Sequence, residues 1–237
     1  HSNIYFNESE VQTVNEHKHL GLILDSKLTF ASHINEKITK AKKGLGIIKY
    51  LSSYLSVKTL DQIYKMYIRP HLDFCDMIYH TPCITSPFDS SLSLNYLMNA
   101  LERIQYQAAL SITGAWQGPC LNKLYEELGW ESLTNRRYCR RVMQLFKIQN
   151  NLVPDYLKEP LPRTRLSTTY GLRSRPAVNE MNFNTDSYRN SFYPDAIRAW
   201  NNLDEDLQNS QSLLNFKNKM NALLRPSQKS IIGFVIQ

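Results

Sequence analysis

The periodicity of the apolar residues changes at Ser32, and this change constrains the fold more than any other feature of the sequence. Before Ser32, short apolar runs at residues 4–6, 11–14 and 20–24 are separated by polar residues, a pattern that predicts β-strands. After Ser32, apolar residues recur every three or four positions, as on one face of an α-helix. Because so small a sheet is not stable alone, it must pack on the helices. The sequence therefore predicts a mainly α protein with a small N-terminal β-hairpin.

Several helices are predicted between the hairpin and residue 158. Ser56 is a suitable N-cap for the second helix, which should end or kink at Pro70, and Ser132 or Thr134 can cap a later one. The apolar stripes that define these helices are Ile34, Ile38, Ala41, Leu45, Ile48 and Leu51; Leu60, Ile63, Tyr64, Tyr67 and Ile68; Leu97, Leu101, Ile104, Ala108 and Ile112; and Tyr138, Val142, Leu145 and Phe146. Together they predict a helical bundle over residues 31–158.

The composition changes after Pro154. Residues 159–176 contain three prolines, four arginines and no apolar periodicity, which is typical of an extended linker. Helical spacing returns at residues 191–207 and 212–224. We therefore expect a first unit at 1–30, a helical domain at 31–158, a linker at 159–190 and a C-terminal helical segment at 191–237.

The chain is basic, with 28 Lys and Arg against 21 Asp and Glu, a net charge of +7. Seven lysines and a single acid, Glu36, lie between Lys27 and Lys58. On the helix that begins near Ser32, the face opposite the apolar stripe is expected to carry Lys37, Lys40, Lys42, Lys43 and Lys49. Such a face is either ordinary solvated surface or a binding surface for a polyanion, and its one-sided charge favours phosphate groups.

A second basic group, Arg136, Arg137, Arg140 and Arg141, is predicted to lie on one helix. The sequence offers no acid within a turn on the C-terminal side to pair with these arginines. Two interpretations stay open: a solvated or ion-paired helix face, or a contact with nucleic acid.

The sequence shows no complete catalytic site. There is no adjacent Asp-Asp pair of the kind that holds two metal ions, Asp25 stands alone, and Asp204-Glu205-Asp206 fits a turn between helices. Gly-rich phosphate loops, GxSxG and HExxH are also absent. These features indicate a binding or structural chain with no cofactor of its own.

The four cysteines do not follow a disulfide or zinc-ribbon spacing. His71, Cys75, His80 and Cys83 have the residue types of a zinc knuckle, but their spacing matches no common finger and the residues between them are apolar. No apolar run approaches the roughly 20 residues of a bilayer span, and no signal peptide is evident. We therefore expect reduced thiols, no membrane association and an intracellular location.

Four sequence blocks resemble the C-terminal part of a non-LTR (LINE-type) retrotransposon reverse transcriptase. The blocks are His19-Leu20-Gly21-Leu22-Ile23-Leu24-Asp25 with Leu28-Thr29-Phe30 and His33-Ile34; Leu60 and Tyr64 with Ile68-Arg69-Pro70; Leu101-Glu102-Arg103-Ile104-Gln105 with Ile112-Thr113-Gly114; and Ser191-Phe192-Tyr193-Pro194 with Ala196-Ile197-Arg198-Ala199-Trp200-Asn201-Asn202-Leu203. They occur in the order of that family and extend over nearly the whole chain. Asp204 departs from the family pattern, which commonly has proline there, and no zinc knuckle follows.

The resemblance implies that residues 1–30 end the palm with a primer-gripping β-hairpin and that residues 31–158 form a thumb. Gly21 would allow a sugar-phosphate backbone to approach closely. The catalytic aspartates, and the Mg²⁺ they bind in the complete polymerase, would belong to palm and fingers that precede this segment. The chain alone is then expected to be inactive.

The first functional hypothesis is a clamp on an RNA template and a DNA primer, acting in the cytoplasm and nucleus. Its expected phosphate contacts are Gly21, Lys37, Lys40, Lys43, Arg136, Arg137 and Arg140. The alternative is a degenerate or co-opted transposon remnant that serves as a helical protein-interaction scaffold. A third, an active polymerase, lacks the aspartates that it requires.

Overall fold

The computed structural model describes residues 5–7, 9–10, 12–79, 92–115, 121–162 and 178–223. The strands are β1 (Tyr5–Phe6), β2 (Ser9–Glu10), β3 (Glu16–His19) and β4 (Leu22–Asp25). The helices are α1 (Ala31–Leu51), α2 (Val57–Ile63), α3 (Arg69–Asp73), α4 (Asp76–Tyr79), α5 (Leu92–Thr113), α6 (Leu121–Leu128), α7 (Leu133–Gln149), α8 (Asp186–Arg189), α9 (Phe192–Asn201), α10 (Glu205–Gln208) and α11 (Leu213–Leu223). The predicted class, mainly α with a small N-terminal hairpin, is confirmed. No helix in the described ranges is both long and apolar enough to cross a membrane.

Strands β1 and β2 pair antiparallel, with Tyr5 opposite Glu10. The hairpin that packs on α1 is formed by β3 and β4, which pair antiparallel from Glu16 opposite Asp25 to His19 opposite Leu22. Leu20 and Gly21 make the two-residue turn, and both have positive φ, as a tight hairpin turn of this length requires. The sequence did not predict β3 because all four of its residues are polar and exposed. The expected strand at 11–14 is wrong, since residues 12–14 are irregular.

The Asp25 carboxylate joins the hairpin to α1. It accepts hydrogen bonds from the backbone N–H of Lys27 (3.1 Å), from the N–H and hydroxyl of Thr29 (3.0 and 3.1 Å), and from the N–H of Phe30 (2.6 Å). The backbone of Phe30, the residue before α1, has the left-handed helical conformation, and its side chain provides no capping hydrogen bond. Asp25 therefore orders the chain at the start of α1, where a local N-cap is missing.

His33 fixes the hairpin against the first turn of α1. Its Nδ1 accepts a hydrogen bond from the Ile23 N–H at 3.3 Å, and its buried ring packs near Phe74 and Tyr79, at centroid distances of 5.9 and 5.5 Å. Burial, reinforced by the charge of Lys37, lowers the pKa of His33. The ring is thus kept neutral, the state in which Nδ1 can accept.

The first hydrophobic core lies between α1, α2, α5 and α6. Every residue of the predicted first and third stripes is buried in it or packs against it. Gly44 lets α1 approach the segment after α2, because a Cβ there would lie 2.8 Å from Cγ1 of Ile68. Gly114, which has φ +68, follows α5 as expected.

The segment after α2 differs from the prediction because it contains a π-helical turn, Tyr64–Ile68. A π turn holds more residues than an α turn, so Tyr64, Ile68 and Leu72 stay buried at intervals of four while Tyr67 is 59% exposed. Pro70 does not end the helix. It lies in the first turn of α3, which continues directly from the π turn and runs to Asp73.

Two polar residues of the third resembling block on α5, the half-buried Glu102 and the buried Gln105, hold the chain at the start of α7. Glu102 accepts hydrogen bonds from the Tyr125 hydroxyl (2.9 Å) and from the N–H of Leu133 at the start of α7 (3.0 Å). Gln105 accepts from the Tyr64 hydroxyl at 2.9 Å and donates to the backbone oxygen of Glu131 at 2.8 Å. Because these groups are paired, burying them does not leave unsatisfied donors or acceptors.

Helix α7 belongs to both cores. Leu133 packs in the first core, whereas the predicted stripe of α7 faces a second core formed with α9, α10 and α11. The second core includes the stacked rings of Phe146 and Phe216, whose centroids are 4.5 Å apart. The C-terminal segment thus packs directly on the last helix of the predicted 31–158 domain.

Residues 191–208 form two helices, α9 and α10, instead of the single helix expected at 191–207. The chain leaves α9 after Asn201, whose side chain exchanges two hydrogen bonds with the backbone of Val178 (3.0 and 3.2 Å). Gln208 of α10 donates to the backbone oxygens of Trp200 and Leu203. These side-chain bonds satisfy carbonyl groups at the break between the two helices.

We expect the Asp25→Asn variant to lose about 1 kcal/mol of unfolding free energy at pH 7, because an amide cannot accept at both positions. Burial by itself raises the pKa of Asp25, but the hydrogen bonds from Thr29, Phe30 and Lys27 together hold it below its usual value. The contribution is therefore complete above pH about 4 and is lost as the pH falls through the lowered pKa. Urea unfolding at pH 7 and in acid measures this difference, which should shrink in acid.

Asp204→Asn is the matched control, because Asp204 precedes α10 but its side chain makes no capping hydrogen bond. An equal loss of stability in both variants would contradict the role given to Asp25.

Candidate nucleic-acid interface

The outer face of α1 carries a run of lysines without acids. Lys40, Lys42, Lys43 and Lys49 are exposed, as is Lys58 in α2, and no Asp or Glu occurs between residues 37 and 60. Lys40 pairs with Glu36 one turn earlier. Within the described ranges, Lys42, Lys43 and Lys49 make no ion pair or side-chain hydrogen bond, so their charge is available to an anionic partner. We call Lys40, Lys42, Lys43 and Lys49 the lysine face.

Lys37 does not belong to this face, and its predicted position is wrong. It is only 6% exposed, because it lies beside Ile34, Ile38 and Ala41 on the buried side of α1. Its Nζ sits 3.9 Å from the centroid of the Phe74 ring, a cation–π contact, and burial lowers the pKa of Lys37. Lysine is rarely buried, so its residue type alone predicts a surface position for Lys37.

Gly21 meets the same aromatic ring from the hairpin side. Its φ is +85, and a Cβ at this position would lie 3.1 Å from Cζ of Phe74. Glycine therefore serves both the turn and the close packing of the hairpin on Phe74. The structure brings Gly21 and Lys37 together around Phe74, where both have structural roles.

Three of the four arginines of α7, Arg136, Arg140 and Arg141, are paired with acids, which is the ion-paired alternative that the sequence left open. Arg136 and Arg140 both contact the carboxylate of Asp73, and Arg140 also contacts that of Asp76. Arg137 is buried and donates to the backbone oxygen of Leu72 at 3.4 Å and to Sδ of Met98 at 3.3 Å. These partners lie about 40 to 65 residues away along the chain, where sequence inspection near α7 does not find them.

The ion-pair network of α7 is buried at Asp76. Its side chain is almost fully buried, and burial raises its pKa while Arg140 and Arg137 oppose that shift. Arg141 forms a further buried ion pair with Asp195 of α9. An ion pair removed from water in this way stabilises a protein only when both partners are present. The arginines of α7 are therefore occupied within the protein, whereas Lys42, Lys43 and Lys49 of α1 make no ion pair within the described residues.

The described residues include no group of three or more His, Cys, Asp or Glu side chains placed to hold a metal ion. Of the zinc-knuckle alternative, His71 lies in α3 and Cys75 follows it as a free thiol, whereas His80 and Cys83 lie outside the described residues. Burial raises the pKa of Cys75, which keeps this thiol protonated at neutral pH.

We expect the Arg140→Met variant to lose about 2 to 4 kcal/mol of unfolding free energy, because Asp76 would remain buried without its partner. The matched variant Lys43→Met removes an exposed, unpaired charge and should change stability by less than about 0.5 kcal/mol. Urea denaturation of both variants at neutral pH makes the comparison. Equal stability of the two variants would show that the network is not required for folding.

Comparisons of this chain with protein-family models, with curated proteins and with solved structures give no match.

Proposed function

We propose that this chain is the thumb and C-terminal segment of an RNA-directed DNA polymerase of the non-LTR retrotransposon type, and that it binds template–primer duplex through backbone phosphates. One observation carries the binding part of the proposal: the exposed lysines of α1 and the absence of acids from residues 37–60. The polymerase context is supported by the four resembling sequence blocks alone.

The geometry of the lysine face suits a phosphate backbone. Lys42 and Lys49 are seven positions apart, so they lie on the same side of α1 and about 10 Å apart along its axis, a length over which a nucleic-acid strand presents more than one phosphate. Lysine ammonium groups on flexible stems neutralise phosphates without reading bases, so binding should be insensitive to sequence and sensitive to salt.

The set of proposed phosphate contacts is smaller than the set expected from the sequence. Lys40 and Lys43 are retained and Lys42 and Lys49 are added. Gly21 and Lys37 position the hairpin on Phe74, and the α7 arginines Arg136, Arg137 and Arg140 hold the packing of α3 and α4.

Polymerisation itself is assigned to other parts of the enzyme. The catalytic aspartates and Mg²⁺ belong to the palm and fingers that we propose as partners of this chain, working in the cytoplasm and nucleus. A protein-interaction scaffold is the competing function. It is favoured by exposed apolar side chains near the lysine face, among them Ile47, Met66 and Tyr67.

A triple variant, Lys42→Glu, Lys43→Glu and Lys49→Glu, should weaken binding of a short RNA–DNA primer–template by about 100-fold or more at low salt. It should also reduce the slope of log K against log salt by about 3, since each of the three lysines would no longer neutralise a phosphate. Fluorescence anisotropy over a range of salt concentrations measures both quantities.

The matched control is Lys123→Glu, Lys147→Glu and Lys217→Glu, which changes the net charge equally at lysines of α6, α7 and α11 that make no ion pair within the described residues. It should retain most of the affinity. Equal weakening by the two triple variants would mean that net charge, and not the lysine face, drives binding. No binding by the unaltered chain would favour the scaffold.

A further inference from the structure

A line of four residues on the outer face of α1 has features that phosphate binding does not explain. Lys43, Gly46 and Tyr50 lie on one line along the helix because they are three and four positions apart, and Tyr54 follows in the turn after α1. We call Lys43, Gly46, Tyr50 and Tyr54 the Tyr50 strip. It lies at the C-terminal end of the lysine face.

The aromatic rings of the two tyrosines of the strip are exposed to solvent. Tyr50 is 71% exposed and Tyr54 73%, their ring centroids are 5.8 Å apart, and the ring planes are inclined at 46°. Neither hydroxyl makes a hydrogen bond within the described residues. Two neighbouring aromatic rings left this open contribute little to the core and offer flat apolar surface to a partner.

Packing among the described residues does not explain Gly46. A Cβ built at this position would have no described atom within 4 Å, whereas one at Gly44 would press on Ile68. Glycine inside a helix costs about 1 kcal/mol relative to alanine, so Gly46 destabilises α1 without relieving an internal contact. Its bare backbone instead leaves a shallow place on the surface between Lys43 and Tyr50.

The charge around the strip indicates an anionic occupant. Lys42 and Lys49 lie beside it on one side, each one position before a residue of the strip, and the nearest acids in sequence are Glu36 and Asp61. The partner must combine negative charge with flat groups that can lie on aromatic rings. Unpaired nucleic acid has both, because the flat faces of its bases can be reached, while a duplex exposes only the edges of its bases along most of its length.

We propose that the Tyr50 strip binds single-stranded nucleic acid, with bases stacked on Tyr50 and Tyr54 and the sugar-phosphate chain passing over Gly46 between Lys43 and Lys49. This inference rests on the proposed function and extends it. The lysine face takes the duplex, and the strip takes an unpaired strand that adjoins it.

The test compares two labelled probes by fluorescence anisotropy at one salt concentration: a 12-nucleotide single strand of mixed sequence, and a blunt RNA–DNA duplex of the same length. The Tyr50→Ala/Tyr54→Ala variant should lose tenfold to hundredfold in affinity for the single strand, roughly the effect of losing one or two stacked bases, and less than about twofold for the duplex. The Tyr50→Phe/Tyr54→Phe variant keeps the rings and should bind both probes within about twofold of the unaltered chain.

Gly46→Gln tests the bare backbone separately. Glutamine favours the helix more than glycine, so the midpoint of urea unfolding should stay the same or rise, while the affinity for the single strand should fall at least about fivefold. Tyr156→Ala is the control for removing an exposed tyrosine, since Tyr156 is 66% exposed in the short turn Asp155–Leu157 after α7. It should leave both affinities unchanged.

Three results would overturn the inference, and each leaves a distinct conclusion about the lysine face. Equal loss for both probes would mean that the tyrosines support general binding. Unchanged binding in the alanine variant, with loss in the lysine triple variant, would leave phosphate binding intact and reject stacking. If the unaltered chain is a dimer by light scattering and the alanine variant is a monomer, the strip is a protein interface.

Discussion

The ion pairs of α7 are the interaction on which the arrangement of this protein depends. Its arginines face three carboxylates from distant parts of the chain: Asp73, Asp76 and Asp195. The first two lie beside the first core and the third belongs to the second, so a single helix aligns both cores through charge as well as through apolar packing. Since each buried charge is costly without its partner, the network favours one relative placement of these elements.

Local patterns predicted the helices well because they depend on neighbours along the chain. The stripe from Leu97 to Ile112 and the capping bond from the Asn135 N–H to Ser132 are examples, since each involves residues only three or four positions apart. The strand β3 has no such signal because its side chains are all exposed. Tyr67 was misplaced because a π turn alters the spacing that the interpretation assumed.

The candidate site was harder to predict, because the sequence does not distinguish a lysine or arginine that faces solvent from one that is paired inside the protein. Lys37 occupies a core position on α1, and only the ring of Phe74 on a later segment makes that position tolerable for a cation. Arg136 pairs with Asp73, which lies 63 residues away in the sequence. Lys42, Lys43 and Lys49 could be assigned to the surface from the sequence because α1 has a complete apolar stripe on its other side.

Phe74 lies where the hairpin, α1 and the turn between α3 and α4 meet. One side of the turn between α3 and α4 holds Gly21 of the hairpin, while the aspartates on either side of that turn hold Arg140. Cys75, at its centre, has φ +59, a strained conformation that persists only where the surroundings enforce it. The N-terminal hairpin and α7 are therefore connected through the two residues between α3 and α4, although no described residue of the hairpin belongs to either hydrophobic cluster.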